Sequence, residues 1–520
     1  MSKPLCIFHV DLNFVCLKPD YIRRWLRDLA GMGYNAILWE LEDKVQWDIC
    51  PDAVWPEALS KDEFREILAE AKALGLEAIP LLQTVGHGEY ILMQDAYRHL
   101  RELPEHHDCY CTENPAVREF LKGLITEYLD LFGEIRHFHL GGDEAYVFAR
   151  CPVCSAKATA VGRNAVYADH IMDISKPIRQ RGARAGIWCD MVMNHPEQMA
   201  AIPHELEIWD WNYWDLDGPM EAVRVWGKGR MRRDELTDEL RQQYPEILGG
   251  DGMLRGFYTS DALLRMGYDV FLSSAVRSSG DSVFCARTLF HAQNIAGAAR
   301  KTANAGLLGT CVTDWAVRLN SWETHRTILP VAPRILSDPT ADLETVRSAI
   351  ATEAFGTDPA QFLAATDVIS STVIPFSQAH TTAIQWDRLK DSLPAPEGYI
   401  RDLLAGWQTS GRLATERATI DARVEQLRAA GAQLDAFVAE ATTGLELLEY
   451  WTRAARCQLW QARMAREILA GNRTPDNVAA LRALKSEYQH LLNVDQTPQS
   501  AAKNAGLVFD CLIEYMELSS

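Results

Sequence analysis

The stretch HFHLGGDEAYVF, residues 137–148, reads as a short buried strand that runs out into two glycines and two adjacent carboxylates. His137 and His139 fall on the same face of this predicted strand, because side chains alternate in direction along a strand. The glycines thin the backbone, so that another group can approach closely before Asp143 and Glu144 emerge. Polar residues at the carboxyl end of a buried strand are typical of a parallel barrel, whose active site lies on that face.

Seven further runs of strand-forming residues flank this stretch and make a series of eight. They alternate with stretches of helical period, and several of these helices stop at a Gly just before the next strand. Eight such units predict an α/β fold, a closed parallel (β/α)₈ TIM barrel over residues 1–335. The eight runs are CIFHVDL, AILWELE, LEAIPLLQ, HFHLGG, RAGIWCDM, LEIWDWNY, YDVFLSSAV and LLGTCVTDWA.

Two regions depart from this alternation. Residues 214–257 form a long excursion after the sixth strand, and a loop of that length is often a lid or a binding wall. Residues 336–520 read as helices and predict an all-helical C-terminal domain. One apolar stripe in it is either the interface of a homodimer or packing against the chain's own barrel and helices, and both interpretations stay open. The stripe consists of Val424, Leu427, Leu434, Phe437, Leu445 and Leu448.

The composition excludes several classes of protein. Hydrophobic residues make up 48% and charged residues 24%, and no apolar run reaches the roughly 18 to 20 residues of a membrane span. The formal net charge of −19 disfavours nucleic acid and anionic lipid surfaces, so a neutral ligand is expected. The twelve cysteines are scattered through a long chain without a recognisable leader, and we therefore expect reduced thiols and a cytoplasmic protein.

The stretch from His139 to Glu144 resembles the His-x-Gly-Gly-Asp-Glu signature of glycoside hydrolase family 20, the β-N-acetylhexosaminidases. The signature falls on the fourth predicted strand, as that family requires. ELEDKVQW after strand two and IPLLQTVGHGE after strand three agree with the family in order around the barrel. FHVDLNF, PLLQTVGHGEYIL and LSSAVRSSG resemble the hexosaminidase D branch of the family.

The resemblance implies an exo-acting, retaining hydrolase of terminal GlcNAc or GalNAc that uses substrate-assisted catalysis and no catalytic cofactor. Glu144 would be the general acid and base, with a pKa raised by partial burial, and Asp143 would orient the substrate's acetamide. The adjacency of the two acids agrees with this. Ordinary glycosidases hold their carboxyl groups about 5 Å apart when retaining and about 6.5 to 9.5 Å apart when inverting, on opposite sides of the anomeric carbon.

Other substrate contacts are predicted from position and from the family pattern. His87 follows strand three and is expected to hydrogen bond to Glu144. The family's Arg after the first strand and its Tyr after strand seven are absent, and Tyr213 is the candidate replacement for that catalytic Tyr. The residues predicted to bind the sugar hydroxyls are Asp11, Asp43 and Glu323.

Four tryptophans fall at or near predicted strand ends and are expected to form a sugar pocket. An indole face encloses an acetamido methyl and stacks on the apolar face of a pyranose. Each alone is more often core than ligand, but four at equivalent barrel positions favour the pocket. They are Trp188, Trp209, Trp211 and Trp315.

Two cysteine pairs flank neighbouring loops on the same face of the predicted barrel. Cys109 and Cys111 precede the third long helix, and Cys151 and Cys154 follow the catalytic strand. Four thiolates there predict a structural zinc that supports the Asp-Glu loop. The alternative is two loops of reduced thiols, because the spacer between the pairs is long.

Two other functions stay open. His137, His139 and Asp143 resemble an inward-facing metal cluster, which would make the chain a barrel metallohydrolase. Alternatively, the chain is a catalytically inactive sugar-binding protein whose helical domain is the working part. The sequence leaves the choice between GlcNAc and GalNAc open, because it depends on a few polar atoms around one hydroxyl.

Overall fold

The structure is a computed structural model that describes residues 3–216, 218–371, 374, 376 and 396–517. Eight parallel strands close into a barrel in which each strand pairs with the barrel strands before and after it in the chain. The predicted (β/α)₈ barrel followed by helices is confirmed, and all eight predicted runs form barrel strands. The barrel strands are β1 Leu5–Asp11, β2 Ala36–Glu40, β3 Glu77–Leu81, β4 His137–His139, β5 Arg184–Trp188, β6 Glu207–Trp211, β9 Asp269–Arg277 and β10 Gly309–Asp314. The strands β7 Ala222–Val225 and β8 Gly229–Arg232 form a separate sheet.

Helices cover the outside of the barrel, and local sequence fixes their ends. Ser60 Oγ accepts a hydrogen bond from the amide of Glu63, whose carboxylate accepts one from the amide of Ser60. This reciprocal pair satisfies two of the free amides at the start of α2. The helices up to residue 337 are α1 Pro19–Met32, α2 Lys61–Ala73, α3 Glu89–Leu92, α4 Pro115–Phe132, α5 Pro152–Val161, α6 Arg163–Ile174, α7 Lys176–Gln180, α8 Asp190–Met193, α9 Asp238–Gln243, α10 Tyr258–Arg265, α11 Thr288–Ala305 and α12 Val331–Ser337.

The inside of the barrel is filled by aromatic side chains. The ring of His139 lies 4.2 Å from that of Trp188 and 4.9 Å from that of Trp209. Gly186 makes room for Trp209, since a Cβ there would come within 2.5 Å of the indole nitrogen. With its middle closed, the barrel leaves space for a ligand only beyond the strand ends.

The excursion at 214–257 is partly folded. It holds the two-stranded antiparallel sheet β7–β8 and the short helix α9. The guanidinium of Arg224 lies 4.5 Å from the ring of Trp214 and 4.9 Å from the ring of Trp226. The ring of Trp226 also lies 4.7 Å from that of Trp211 at the end of β6, and this contact joins the excursion to the barrel.

After β10 the described elements are helices, which are joined by turns and short connections. Five of the six stripe residues are buried within this one chain, and only Leu445 is exposed. The stripe therefore packs inside the chain, and the homodimer predicted from it has no interface there. The helices are α13 Leu343–Phe355, α14 Ala360–Ser371, α15 Pro396–Thr409, α16 Arg412–Val438, α17 Leu445–Ala470, α18 Pro475–Leu492 and α19 Pro498–Glu517.

These helices also pack on the barrel. Tyr488 donates a hydrogen bond to the carbonyl of Leu319, and the Asn504 amide donates to the carbonyl of Phe14 in the loop after β1. The division into two domains at residue 335 stays a prediction, and residues 377–395 of the predicted second domain lie outside the described residues. No described helix is both long and apolar enough to cross a membrane.

Candidate active site

A cavity of about 420 Å³ opens at the carboxyl-terminal ends of the barrel strands. This volume lies in the range of small-molecule sites. Loops after β1, β3, β4, β6, β9 and β10 contribute to its wall, as does the excursion. The lining includes Asp11, Phe14, Glu40, Gln83, His87, Glu89, Asp143, Glu144, Trp211, Tyr213, Trp214, Arg224, Arg287, Trp315 and Arg318.

Two glycines bring Asp143 and Glu144 into this cavity. Gly141 and Gly142 both have positive φ, of 58° and 84°. A Cβ on Gly141 would lie 2.0 Å from the side-chain oxygen of Gln83, and one on Gly142 would lie 2.2 Å from the hydroxyl of Tyr167. Only glycine fits both the conformation and the space.

Glu144 itself has a left-handed backbone, with φ of 47°. Such a conformation costs a non-glycine residue about 1 to 3 kcal/mol and tends to occur at functional sites. Asp190 at the start of α8 holds it, because the Asp190 Oδ2 accepts a hydrogen bond of 2.9 Å from the Glu144 amide. The second Asp190 oxygen accepts a hydrogen bond from the Trp211 indole at 3.3 Å.

His87 connects the two acids, as predicted for Glu144. Its Nε2 lies 3.5 Å from Asp143 Oδ2 and 3.5 Å from Glu144 Oε2, and its Nδ1 lies 3.9 Å from a carboxylate oxygen of Glu89. Burial works to lower the pKa of His87, but Asp143 and Glu144 outweigh it and raise the pKa well above its ordinary value. The imidazole is therefore held as a cation between them.

The pKa of Glu144 differs from the sequence expectation. Burial works to raise it, but the hydrogen bond and the charge of His87 lower it below its ordinary value. The predicted rise is therefore wrong. The prediction treated His87 only as a hydrogen-bond partner and left out its positive charge, which lowers the pKa of Glu144. Glu144 and His87 consequently share one proton between them.

Asp143 is almost completely buried, whereas the Glu144 side chain is 40% exposed. The Asp143 Oδ1 accepts no hydrogen bond from any residue in the described parts of the chain. A buried carboxylate oxygen without a donor is costly, so this atom is available for a donor on a ligand.

Besides Glu89, two further carboxyl groups lie in the cavity, and both accept hydrogen bonds within the protein. The oxygens of Asp11 accept hydrogen bonds of 2.7 Å from the amides of Asn13 and Ala316. The oxygens of Glu40 lie 2.9 Å from His9 Nε2 and from the side-chain nitrogen of Gln83. Burial raises the pKa of Asp11 to about 6 and that of Glu40 to about 7.

Two of the four tryptophans predicted to form the sugar pocket line the cavity. Trp211 and Trp315 line the cavity together with Tyr213, whose ring centre lies 6.2 Å from that of Trp315. Trp188 and Trp209 do not line it. They are fully buried around His139, because they lie one layer deeper in the barrel.

Two of the three predicted hydroxyl contacts lie elsewhere. Asp43 comes after the turn that follows β2; it forms an ion pair with Lys44 and lines a separate cavity beside Trp55. Glu323 lies in the short turn after β10 and forms ion pairs with Arg24 and Arg326, away from the cavity. Both lie beyond strand ends, but their loops turn away from the barrel axis.

The metallohydrolase cluster does not form. His137 Nδ1 lies 2.9 Å from Glu207, at the beginning of β6 and away from Asp143. The ring nitrogen Nδ1 of His139 accepts a hydrogen bond from the amide of Gly141. Among the described residues, neither histidine belongs to a group arranged for a metal ion.

A cysteine cluster does form, with one substitution in the predicted set. Cys111, Cys151 and Cys154 lie together with Glu102, and their potential ligand atoms are all within 4.8 Å of one another. Cys109 was predicted in this group, but its thiol points to the carbonyl of Tyr110 instead. Glu102 takes its place, because the segment that carries Glu102 pairs with the segment that carries Cys109.

Sequence reasoning missed several lining residues. Glu40 is the last residue of β2 and shares the inward face of Leu38, a signal that strand alternation carried. Trp214 and Arg224 belong to the excursion, which was predicted as a binding wall without named residues. Asp190 supports Glu144 without lining the cavity, and it had a signal too, since it is the second residue after β5.

Comparisons with known proteins find similarity to glycoside hydrolases. The model of the glycosyl hydrolase family 20 catalytic domain matches residues 8–224. Hexosaminidase D of Homo sapiens is 29% identical over 226 residues, 41% of this chain and 45% of that protein. Hexosaminidase D of Bos taurus is 29% identical over 232 residues, 42% of this chain and 66% of that protein. The chain thus spans about half to two thirds of these relatives.

Solved structures resemble the chain at low identity. A chitobiase from Flavobacterium johnsoniae has a TM-score of 0.49 and 15% identity, and the match covers 96% of this chain and 78% of that one. An exo β-N-acetylglucosaminidase from Vibrio harveyi has a TM-score of 0.47 and 14% identity, with coverage of 68% and 57%. The family match covers the part of the barrel that carries Asp143 and Glu144.

Proposed function

We propose that the protein is an exo-acting β-N-acetylhexosaminidase that removes terminal GlcNAc or GalNAc with retention of configuration. The observation that carries this proposal is the pair Asp143 and Glu144, which reach one cavity from neighbouring positions with His87 3.5 Å from both. In this proposal the 2-acetamido oxygen of the substrate attacks the anomeric carbon, so the protein supplies no nucleophile.

Asp143 orients the acetamide in this mechanism. Its buried Oδ1, which has no donor among the described residues, accepts the substrate's amide N–H and stabilises the positive charge that develops on that nitrogen. A carboxylate does this better than a neutral amide, because hydrogen bonds to charged groups are about twice as strong.

Glu144 protonates the leaving oxygen and later accepts a proton from the water that opens the cyclised intermediate. In the free protein the shared proton resides mainly on His87. A bound sugar excludes water, which disfavours the separated charges of imidazolium and carboxylate and moves the proton to Glu144. Glu89 lies 3.9 Å from the other ring nitrogen of His87 and orients the ring.

Two deeper acids of the cavity, Asp11 and Glu40, are poorly suited to act as a protein nucleophile. Both oxygens of Asp11 and of Glu40 are already hydrogen bonded within the protein. Attack on the sugar by either of them would break buried hydrogen bonds, at a cost of about 1 to 3 kcal/mol each.

The aromatic wall supports a sugar as the ligand. Trp211, Tyr213 and Trp315 offer faces for a pyranose and its acetamido methyl, and Tyr213 is our candidate for the catalytic Tyr of the family. Trp214 and Arg224 close the side formed by the excursion, which supports binding of a terminal sugar. We also assign the enzyme to the cytoplasm, which the free thiols of all twelve cysteines support. Recovery of the tagged full chain outside the cytosolic fraction would contradict that location.

Kinetics with 4-nitrophenyl glycosides test the activity. We expect turnover of the N-acetyl-β-glucosaminide or the N-acetyl-β-galactosaminide and almost none of the plain β-glucoside, which has no acetamide. Glu144→Gln should lose about 10²- to 10⁴-fold on disaccharides and less on the aryl glycoside. Asp143→Asn should lose the cyclisation step, and Asp43→Asn, outside the cavity, should keep activity.

Three results would overturn the proposal. Equal cleavage of the plain glucoside would show that the acetamide takes no part. Full activity of Glu144→Gln or Asp143→Asn on a disaccharide would contradict their roles. Tight binding of the N-acetyl sugar without any turnover would identify an inactive sugar-binding protein instead.

A further inference from the structure

A second group of reactive side chains lies outside the cavity, where Glu102 and three cysteines meet. Cys111 Sγ lies 3.8 Å from Cys151 Sγ and 3.6 Å from Cys154 Sγ. Cys154 Sγ lies 3.3 Å from Glu102 Oε2. Glu102 and Cys154 are buried, and the other two thiols are half-buried.

These separations match the edges of a tetrahedral zinc site. With Zn–S bonds of about 2.3 Å and a Zn–O bond of about 2.0 Å, two sulfurs are roughly 3.8 Å apart, and a sulfur and an oxygen roughly 3.5 Å. The three distances given above fall within about 0.2 Å of these edges, and all the potential ligand atoms lie within 4.8 Å of one another.

The surrounding backbone orients the ligand atoms. Glu102 Oε1 accepts hydrogen bonds from the amides of Arg150 and Cys151, at 2.7 and 2.8 Å. This leaves Oε2 directed at the sulfurs. The Cys154 amide donates to Cys151 Sγ at 3.3 Å, at the beginning of α5. Such outer contacts are the usual supports of metal ligands.

We propose that Glu102, Cys111, Cys151 and Cys154 bind a structural Zn²⁺ ion. Four protein ligands complete the tetrahedral shell, so the ion has no open position for catalysis. Three thiolates and a carboxylate carry four negative charges, and the dication offsets half of them in a site where unpaired charges are expensive.

The site joins the two loops that carry the catalytic groups. Glu102 and Cys111 lie in the loop after β3, residues 82–114, which also carries His87. Cys151 and Cys154 lie where the loop after β4, residues 140–151, enters α5, and that loop carries Glu144. The zinc therefore fixes the approach of His87 to Glu144 from outside the cavity.

Metal analysis of the purified full chain tests the site without using activity. We expect one zinc per chain after expression with zinc and dialysis. Cys111→Ser and Cys154→Ser should lose it, whereas Cys109→Ser should keep it as the matched control. Loading the wild-type chain with Co²⁺ should give tetrahedral absorption bands with thiolate charge transfer, a readout that no variant's folding affects.

Several outcomes would overturn the proposal. One is a wild-type protein that holds much less than one metal ion per chain after incubation with zinc. Another is a disulfide among the three cysteines in protein purified without oxidant. A third is a loss of zinc in Cys109→Ser that equals the loss in Cys154→Ser. Because metal content and cobalt spectra are independent of turnover, failure of the zinc site and failure of the proposed activity are distinguishable.

Discussion

Asp190 is a positioning residue whose replacement gives the sharpest test of the site. Its two oxygens face two donors, the Glu144 amide at 2.9 Å and the Trp211 indole N–H at 3.3 Å. In Asp190→Asn one of these donors must face an NH₂ group. The hydrogen bond that holds Glu144 in its left-handed conformation is then either lost or left with a neutral acceptor in place of a carboxylate.

The size of the effect follows from that bond. A hydrogen bond to a charged group contributes about 1.5 to 3 kcal/mol, and each 1.36 kcal/mol in the barrier is about tenfold in rate. Asp190→Asn should therefore lower kcat by about 10- to 150-fold, with KM changed far less because Asp190 does not line the cavity. Burial and the charge of Asp143 raise the pKa of Asp190 to about 7. Below that pH the wild-type group is protonated and resembles Asn, so the gap between the two proteins should widen as the pH rises through 7.

The assay is the initial rate on the 4-nitrophenyl N-acetyl sugar on both sides of that pH, with thermal unfolding measured in parallel. Asp210→Asn is the matched control. Asp210 is equally buried, on β6, but it accepts hydrogen bonds from the hydroxyls of Thr259 and Ser260 on the outer side of the barrel. We expect it to keep kcat within about twofold. A wild-type kcat in Asp190→Asn, or equal losses in both variants, would refute the positioning role.

The remaining predictions concern the proton and the aromatic wall. His87→Asn should move the alkaline limb of kcat/KM to lower pH, since the acid then depends on Glu144 alone, without the raised pKa of His87. An unmoved limb in the pH profile would contradict the shared proton. Trp315→Leu should lower kcat/KM about 3- to 10-fold with little change in melting temperature. Trp209→Leu should lower the free energy of unfolding by about 2 to 4 kcal/mol and leave KM unchanged. Kinetics and calorimetry on both variants check this, and the reverse pattern would show that Trp209 contacts the sugar.

The fold was predictable because its signals are local. Each strand is a short β-rich run. Several of the following helices stop at a glycine with positive φ, such as Gly33, whose φ is 104°. In a barrel the strand order follows the chain order, so no long-range pairing has to be inferred. The apolar stripe was ambiguous for the opposite reason. Whether a partner or the same chain covers an apolar face is not a local property.

The site was predictable where position along a strand decides it, and unpredictable where loop direction or depth does. Asp143 lies just beyond β4, where Gly141 and Gly142 turn the chain into the cavity. Asp43 and Glu323 come after a turn, and the turn takes them away. Trp209 and Trp211 share one face of β6, but two residues of height separate core from cavity. Strand alternation in the sequence predicts which side of the sheet a residue faces. Its depth along the barrel axis depends on the shape of the barrel.

The adjacency of Asp143 and Glu144 has a backbone explanation. Two acids in succession on one strand would point to opposite faces, but here the left-handed turn at Glu144 brings the second side chain round to the rim, 40% exposed, while the first stays buried. The opposing loop has the same conformation, with φ of 54° at His87. The two backbones touch, since a Cβ on Gly86 would lie 2.1 Å from the carbonyl oxygen of Asp143. The strain at both positions therefore keeps a buried carboxylate where the proposed mechanism needs an acceptor for the acetamide, and a more exposed one where it needs the acid. Gly86→Ala should push the two loops apart.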